Sequence, residues 1–112
     1  MALPLVCSTL SIVTTTVDSA EVAQHIAQGA VQAQLAACVQ VECITSHYMW
    51  QGQLTQSAEW RLVCKTLPQA VDALFAWLRT AHPYEVPQLL VRSEQADAAY
   101  AAWVADSLAI KK

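Results

Sequence analysis

Residues 39–66 read VQVECITSHYMW, then QG, then QLTQSAEWRLVCKT, that is Val39 to Trp50, Gln51-Gly52 and Gln53 to Thr66. Both outer runs are rich in β-branched and aromatic residues and read as strands. Gly52 tolerates the positive φ of a tight hairpin turn, so Gln51-Gly52 is the expected connection. The arms are the unusual part. Strands average about 5–6 residues, and these are about twice that. A hairpin arm of ten or more residues overhangs a domain of 112 residues, and an overhang needs a partner.

The elements on either side complete a pattern. Leu10 to Val17 (LSIVTTTV) is β-branched and predicts a strand. Asp18 or Ser19 can cap the helix after it. Val22, Ile26, Ala30 and the Ala33/Ala37 pair recur at helical spacing, which predicts a helix ending near Cys38. Its alanines and Gly29 would let it lie close to a sheet. Beyond the hairpin, Thr66-Leu67-Pro68-Gln69 predicts a helix start, with Thr66 as cap and Gln69 closing a capping box. Val71, Leu74, Phe75 and Leu78 form its apolar stripe, and His82-Pro83 ends it. Val86 to Arg92 predicts a short strand, and Asp97 caps a last helix running through Ile110. The order is β-α-β-β-α-β plus a terminal helix. That is an α+β, ferredoxin-like pattern: an antiparallel sheet with both crossover helices on one face. Residues 1–112 are expected to form one domain, with its core over about residues 10–110.

Composition points the same way as the long arms. Hydrophobic residues make up 55% of the chain, and only 15 residues are charged. At 13% charged, against roughly 25% for an average domain, the chain is too apolar to be disordered. A monomer of this mass exposes about 6,000 Å², so each charge would serve about 400 Å². Part of the apolar surface is expected to be covered by something else. The net charge of −3, with six scattered basic residues, argues against nucleic-acid binding. Val22 to Val41 has 20 residues without a charge, but its five glutamines and His25 are too polar for hydrocarbon. Met1 to Val17 lacks the basic start of a signal peptide. Neither is read as a targeting or membrane segment, and the cytoplasm is the expected location.

The chemistry-bearing residues are few. Cys7, Cys38, Cys43 and Cys64 show no C-x-x-C spacing. They read as reduced thiols, with Cys38, Cys43 and Cys64 as small buried side chains. Cys43 and His47 share a strand face but stand about 13 Å apart, too far to hold one ion. His25 sits among polar helix residues and is expected to be exposed. In His82-Pro83-Tyr84-Glu85-Val86-Pro87 two prolines hold the backbone, and three polar, titratable groups are presented between a helix end and a strand. It reads either as a rigid connector whose histidine caps helix carbonyls or as a ligand or metal site at His82. Glu59 and Lys65 share a parity on the third strand, either as a solvated face or as part of a site. Tyr48 and Trp50 alternate toward the turn, where packing in a core or at an interface is the plainer role. There is no nucleophile motif and no Gly-rich phosphate loop.

Taken together, Leu35-Ala36-Ala37-Cys38-Val39, Ser46-x-Tyr48-x-Trp50-x-Gly52, Glu59 with Lys65-Thr66, His82-Pro83-Tyr84-Glu85-x-Pro87 and Tyr100-x-x-Trp103 resemble the CutA family of divalent-cation tolerance proteins. The resemblance runs over roughly residues 12–108. It implies a ferredoxin-like homotrimer in which long hairpins pair with neighbouring subunits. It also implies a cytoplasmic role in tolerance of copper and other divalent ions, without catalysis. Metal-binding members are expected to use a first-strand cysteine, the histidine of H-P-Y and a glutamate after the second proline. Here Thr15 and Gln88 stand at two of these places, and only His82 matches. The implied site is an inter-subunit cleft with Tyr48, Trp50, Glu59, Lys65, Tyr84 and Glu85 as ligand residues and His82 as metal ligand. Such a cleft would take a divalent cation, copper or zinc, or a small anion. The alternative is a PII-like trimeric signalling or scaffold module that binds a small molecule or a protein without metal. Acylphosphatase shares the element order but needs an Arg and an Asn at its phosphate site, and this chain has no Asn.

Overall fold

Gln51 and Gly52 have φ of 51° and 76°, the two positive values that a two-residue type I′ hairpin turn requires. In a computed structural model, which describes residues 7–109, this turn joins β2 (Cys38–Trp50) to β3 (Gln53–Thr66). Their antiparallel register is unbroken from Cys38 opposite Lys65 to Trp50 opposite Gln53. Around the hairpin lie β1 (Cys7–Val17), α1 (Ala20–Gln32), α2 (Val71–Ala81), β4 (Leu90–Asp97) and α3 (Ala98–Asp106). The strand order is β2-β3-β1-β4, and all neighbours are antiparallel. This is the expected α+β, ferredoxin-like arrangement.

The odd residues of β1 and the even residues of β3 point to one face. There Val13, Val17, Leu62 and Cys64 pack against Ala23, Ile26 and Ala30 of α1 and Leu74 and Leu78 of α2. Both crossover helices cover this face. Leu10, of the other β1 parity, packs with Leu67, Ala101, Val104 and Leu108, so α3 covers one end of the opposite face. Burying each of these large side chains contributes about 1.5–3 kcal/mol.

Several local expectations change. The first helix ends at Gln32 rather than near Cys38. Gln34 takes the left-handed position (φ 59°), while the N–H groups of Gln34 and Leu35 donate to the carbonyls of Val31 and Ala30. This is a Schellman ending with glutamine in the place that glycine usually fills. Gly29 faces α2 and not the sheet: a Cβ there would lie 2.8 Å from the Trp77 ring. Thr66 caps no helix. Its hydroxyl donates to the Leu35 carbonyl at 2.8 Å, and a 3-10 turn at Pro68–Ala70 precedes α2 with no side-chain cap.

The last strand is Leu90–Asp97 and not Val86 to Arg92. It is an edge strand, and its polar, charged run from Arg92 onward suits an edge that faces water. Of the three cysteines expected to be buried, only Cys64 is; Cys38 is half-buried, and Cys43, on edge strand β2, is exposed. The caps at Ser19 and Asp97 form as expected, Ser19 accepting from the Val22 N–H and Asp97 from those of Ala99 and Tyr100. Ile110, the expected end of the last helix, lies outside the described residues.

The helices cover only part of the hairpin. The chain measures 58 × 33 × 20 Å, with a radius of gyration of 15.9 Å. A compact domain of this length would have about 13 Å. The accessible surface is 7110 Å², against about 6,000 Å² expected for the mass. Tyr48, Met49, Trp50 and Leu54 are exposed at the far end of the arms.

Candidate functional site

β4 begins opposite Thr14, so Thr15 to Val17 have no β4 neighbour. The segment after α2 fills this gap. His82 leaves the helix with an extended backbone, its own N–H still donating to the Leu78 carbonyl. The residue is buried (7% exposed), with Nε2 2.9 Å from the Thr16 carbonyl. Nδ1 accepts the Tyr84 N–H at 3.1 Å. An acceptor at Nδ1 leaves the proton on Nε2, which donates to Thr16. The imidazole is thus neutral, and both nitrogens are in use. Burial lowers its pKa, against smaller opposing effects of the Thr16 hydrogen bond and the Asp18 charge.

Pinned by His82, Tyr84 lies with its ring 4.8 Å from the imidazole and reaches to β3. Its hydroxyl donates to Glu59 Oε2 at 3.2 Å, and the Ser46 hydroxyl donates to Oε1 at 2.6 Å. Register explains this meeting: Ser46, Tyr48 and Trp50 on β2 share a face with Ser57 and Glu59 on β3. The Tyr48 and Ser57 hydroxyls are 3.2 Å apart and hydrogen-bonded. Burial first, then the charge of Asp18 and the bond to Glu59, push the Tyr84 phenol well above its usual pKa, so it stays a donor.

These groups line a cleft of about 650 Å³ formed by Asp18, Tyr48, Trp50, Glu59, Tyr84, Glu85 and Val86. That volume suits a small organic molecule. Five of the expected ligand residues therefore meet: Tyr48, Trp50, Glu59, Tyr84 and Glu85. Lys65 does not join them. It shares a face with Glu59, but six residues of extended strand separate them by about 20 Å. Its ammonium lies instead over the Tyr100 ring, 5.7 Å from the centroid. Asp18 belongs to the cleft although its sequence position suggested a helix cap; only the register between β1 and β3 shows that it faces the hairpin.

The three positions implied for a metal do not suit one. Thr15 is fully buried, and its hydroxyl is a neutral oxygen with no hydrogen-bond partner. Gln88 is an exposed neutral amide, a poor ligand for a soft ion. His82 has no ring nitrogen to offer. Among the described residues no group of three or more His, Cys, Asp or Glu could hold a metal ion. His25, on α1, and His47, on β2, are exposed.

Residues 11–107 match the family model described as CutA1 divalent ion tolerance protein. Protein CutA homolog of Xenopus laevis is 41% identical over 90% of this chain and 68% of its own length. Divalent-cation tolerance protein CutA of Thermus thermophilus is 41% identical over 70% of this chain and 78% of its own. The chain spans about half the length of the mouse and human relatives it matches. Among solved structures, CutA from Synechococcus elongatus superposes with a TM-score of 0.90 at 39% identity, covering 95% of this chain and 96% of that one.

Proposed function

The chain belongs to the CutA1 divalent ion tolerance protein family, and from that membership we propose that it acts as a cytoplasmic homotrimer, without catalysis, in the response to copper and other divalent cations. Its working part in this proposal is a small-ligand cleft between subunits, built on Tyr48, Trp50, Glu59, Tyr84 and Glu85. The observation that carries the proposal is the overhanging hairpin. Trp50 is 62% exposed and Leu54 79% exposed on arms that the chain's own helices do not reach. Neighbouring subunits would cover these side chains and the surplus of about 1,000 Å² over a compact monomer.

A specific observation favours the PII-like form of this reading, in which the trimer senses a small molecule and the cation is not held by His82. Both imidazole nitrogens are already hydrogen-bonded, so ligating copper or zinc would break a contact that anchors Tyr84. No helix among the described residues is long and apolar enough to cross a membrane.

Light scattering at micromolar concentration should give three times the 12.2 kDa of the chain. A 12 kDa species there would end the assembly reading. Calorimetric titration with copper and with zinc should give the same weak binding for wild type and His82→Ala. A loss of tight binding in the variant would restore His82 as a metal ligand.

A further inference from the structure

Resting on the cleft as a ligand site, we infer that it takes an organic ammonium cation, where the resemblance allowed a metal ion or a small anion. Three aromatic rings wall the cleft: Tyr48 and Trp50, two residues apart on one face of β2, and Tyr84 from the loop after α2. Three carboxylates lie among them: Asp18 at the end of β1, Glu59 on β3, and Glu85 beside Tyr84. Among the described residues of the chain, no lysine or arginine lines it. The basic groups nearby are engaged elsewhere. Arg61 Nε pairs with Glu42 at 2.8 Å, and Arg79 lies over the Phe75 ring in the adjoining groove, which shares Glu85 and Val86 with the cleft.

This composition discriminates between ligand classes. On this chain's side of the cleft a small anion would meet three carboxylates and, among the described residues, no lysine or arginine to receive it. A bare divalent ion needs several oxygens within about 2.6 Å of one point. The cleft's acidic groups are too dispersed for that, since no three of them form a group that could hold a metal. An organic cation needs neither. Its charge is diffuse, it is attracted by the faces of tryptophan and tyrosine, and a carboxylate at the rim supplies the counter-charge. Glu59 is built for that part. Ser46 and Tyr84 fix its orientation with one hydrogen bond to each oxygen. A carboxylate has about four acceptor sites, so two remain for a ligand. The negative charge of Asp18 and Glu59 acts on Tyr84, whose phenol is held protonated partly by them.

Choline and its neutral isostere 3,3-dimethyl-1-butanol separate charge recognition from simple apolar filling. In calorimetric titrations of the full chain at matched chloride, choline should saturate, and the alcohol should bind at least about tenfold more weakly. Trp50→Ala and Glu59→Gln should each weaken choline at least about threefold, with Trp50→Phe recovering part of the loss. Circular dichroism and light scattering of each variant show whether fold and assembly are intact. Equal binding of choline and the alcohol would overturn the inference, as would tighter binding of inorganic phosphate. Absence of choline saturation up to about 10 mM in an intact trimer would overturn it while the assembly reading stands. A monomer that binds choline would do the reverse.

Discussion

Leu54 and Leu62 are the same residue type on the same strand, β3, and they point to the same face of the sheet. Leu62 is 0% exposed and Leu54 is 79% exposed. About 26 Å of strand separates them, and over that length the sheet passes from a helix-backed slab to an uncovered ribbon. At Leu62 the face carries Val13, Val17, Ile26, Leu74 and Leu78 in one core. At Leu54 none of the described helices or core residues gives cover, although Tyr48, Met49 and Trp50 stand close by. One half of the hairpin is stabilised by its own chain. The other half keeps its strand pairing but leaves its side chains to water or to a second subunit. The sparse charge has part of its explanation here: four of the exposed large hydrophobic residues, Tyr48, Met49, Trp50 and Leu54, sit on the ribbon.

Substituting the two leucines tests this contrast most directly. Leu62→Ala should lower the unfolding free energy by about 3 kcal/mol, from lost transfer energy plus a cavity, at every protein concentration. Leu54→Ala should leave the circular dichroism of the chain unchanged. Any loss of stability it causes should vary with protein concentration, because a partner subunit contributes only by mass action. Urea titrations over a hundredfold range of concentration would read both. If Leu54→Ala matched Leu62→Ala at all concentrations, the ribbon would be part of the chain's own core and the division would fail.

A smaller effect of opposite sign lies inside the helix-backed half. Thr15, opposite Leu62 on β1, buries a hydroxyl without a partner. An unsatisfied buried hydroxyl costs about 1–3 kcal/mol. Thr15→Val removes it at nearly constant volume and should raise stability by about 1 kcal/mol, read as an upward shift of the urea midpoint. A loss of stability would mean that the hydroxyl has a partner, and that this part of the core is less dry than Val13 and Val17 suggest.

The long arms were legible in the sequence because alternation and a Gln-Gly turn are both local signals. The caps at Ser19 and Asp97 were local too. What could not be read depended on neighbours. Leu90–Asp97 carries no apolar alternation after Val91, because an edge strand is held by backbone pairing to β1 and not by its side chains. Gln34 bears no mark of a helix end, since glycine is absent from the position that favours it. Thr66 fits a capping box in sequence, but the end of β3 brings its hydroxyl to the Leu35 carbonyl instead. In the cleft, Tyr48, Trp50, Glu59, Tyr84 and Glu85 were visible through family motifs. Lys65 was visible in the same way and lies elsewhere, because parity reports the face of a strand and not the position along it. Asp18 joins them only through strand order.

The smallest expected effect concerns His82, which ties the covered half to the cleft. Its folded-state pKa lies below the ordinary 6.5, chiefly because burial disfavours the imidazolium. Between the folded and unfolded values the unfolded chain binds more protons, so the contribution of this group to stability is full above about pH 6.5 and declines as pH falls below it. The geometry gives the reason in atoms. Protonation would put a hydrogen on Nδ1, which now accepts the Tyr84 N–H, and set donor against donor. Tyr84 would loosen, and with it one of the two hydrogen bonds that orient Glu59. Urea midpoints measured from pH 7.5 to pH 5 should therefore fall more steeply for wild type than for His82→Gln, whose side chain does not titrate. Carboxylates elsewhere contribute to both curves and cancel in the difference. Parallel curves would show that His82 takes up its proton without cost, and that the link between the end of β1 and the cleft does not depend on a neutral ring.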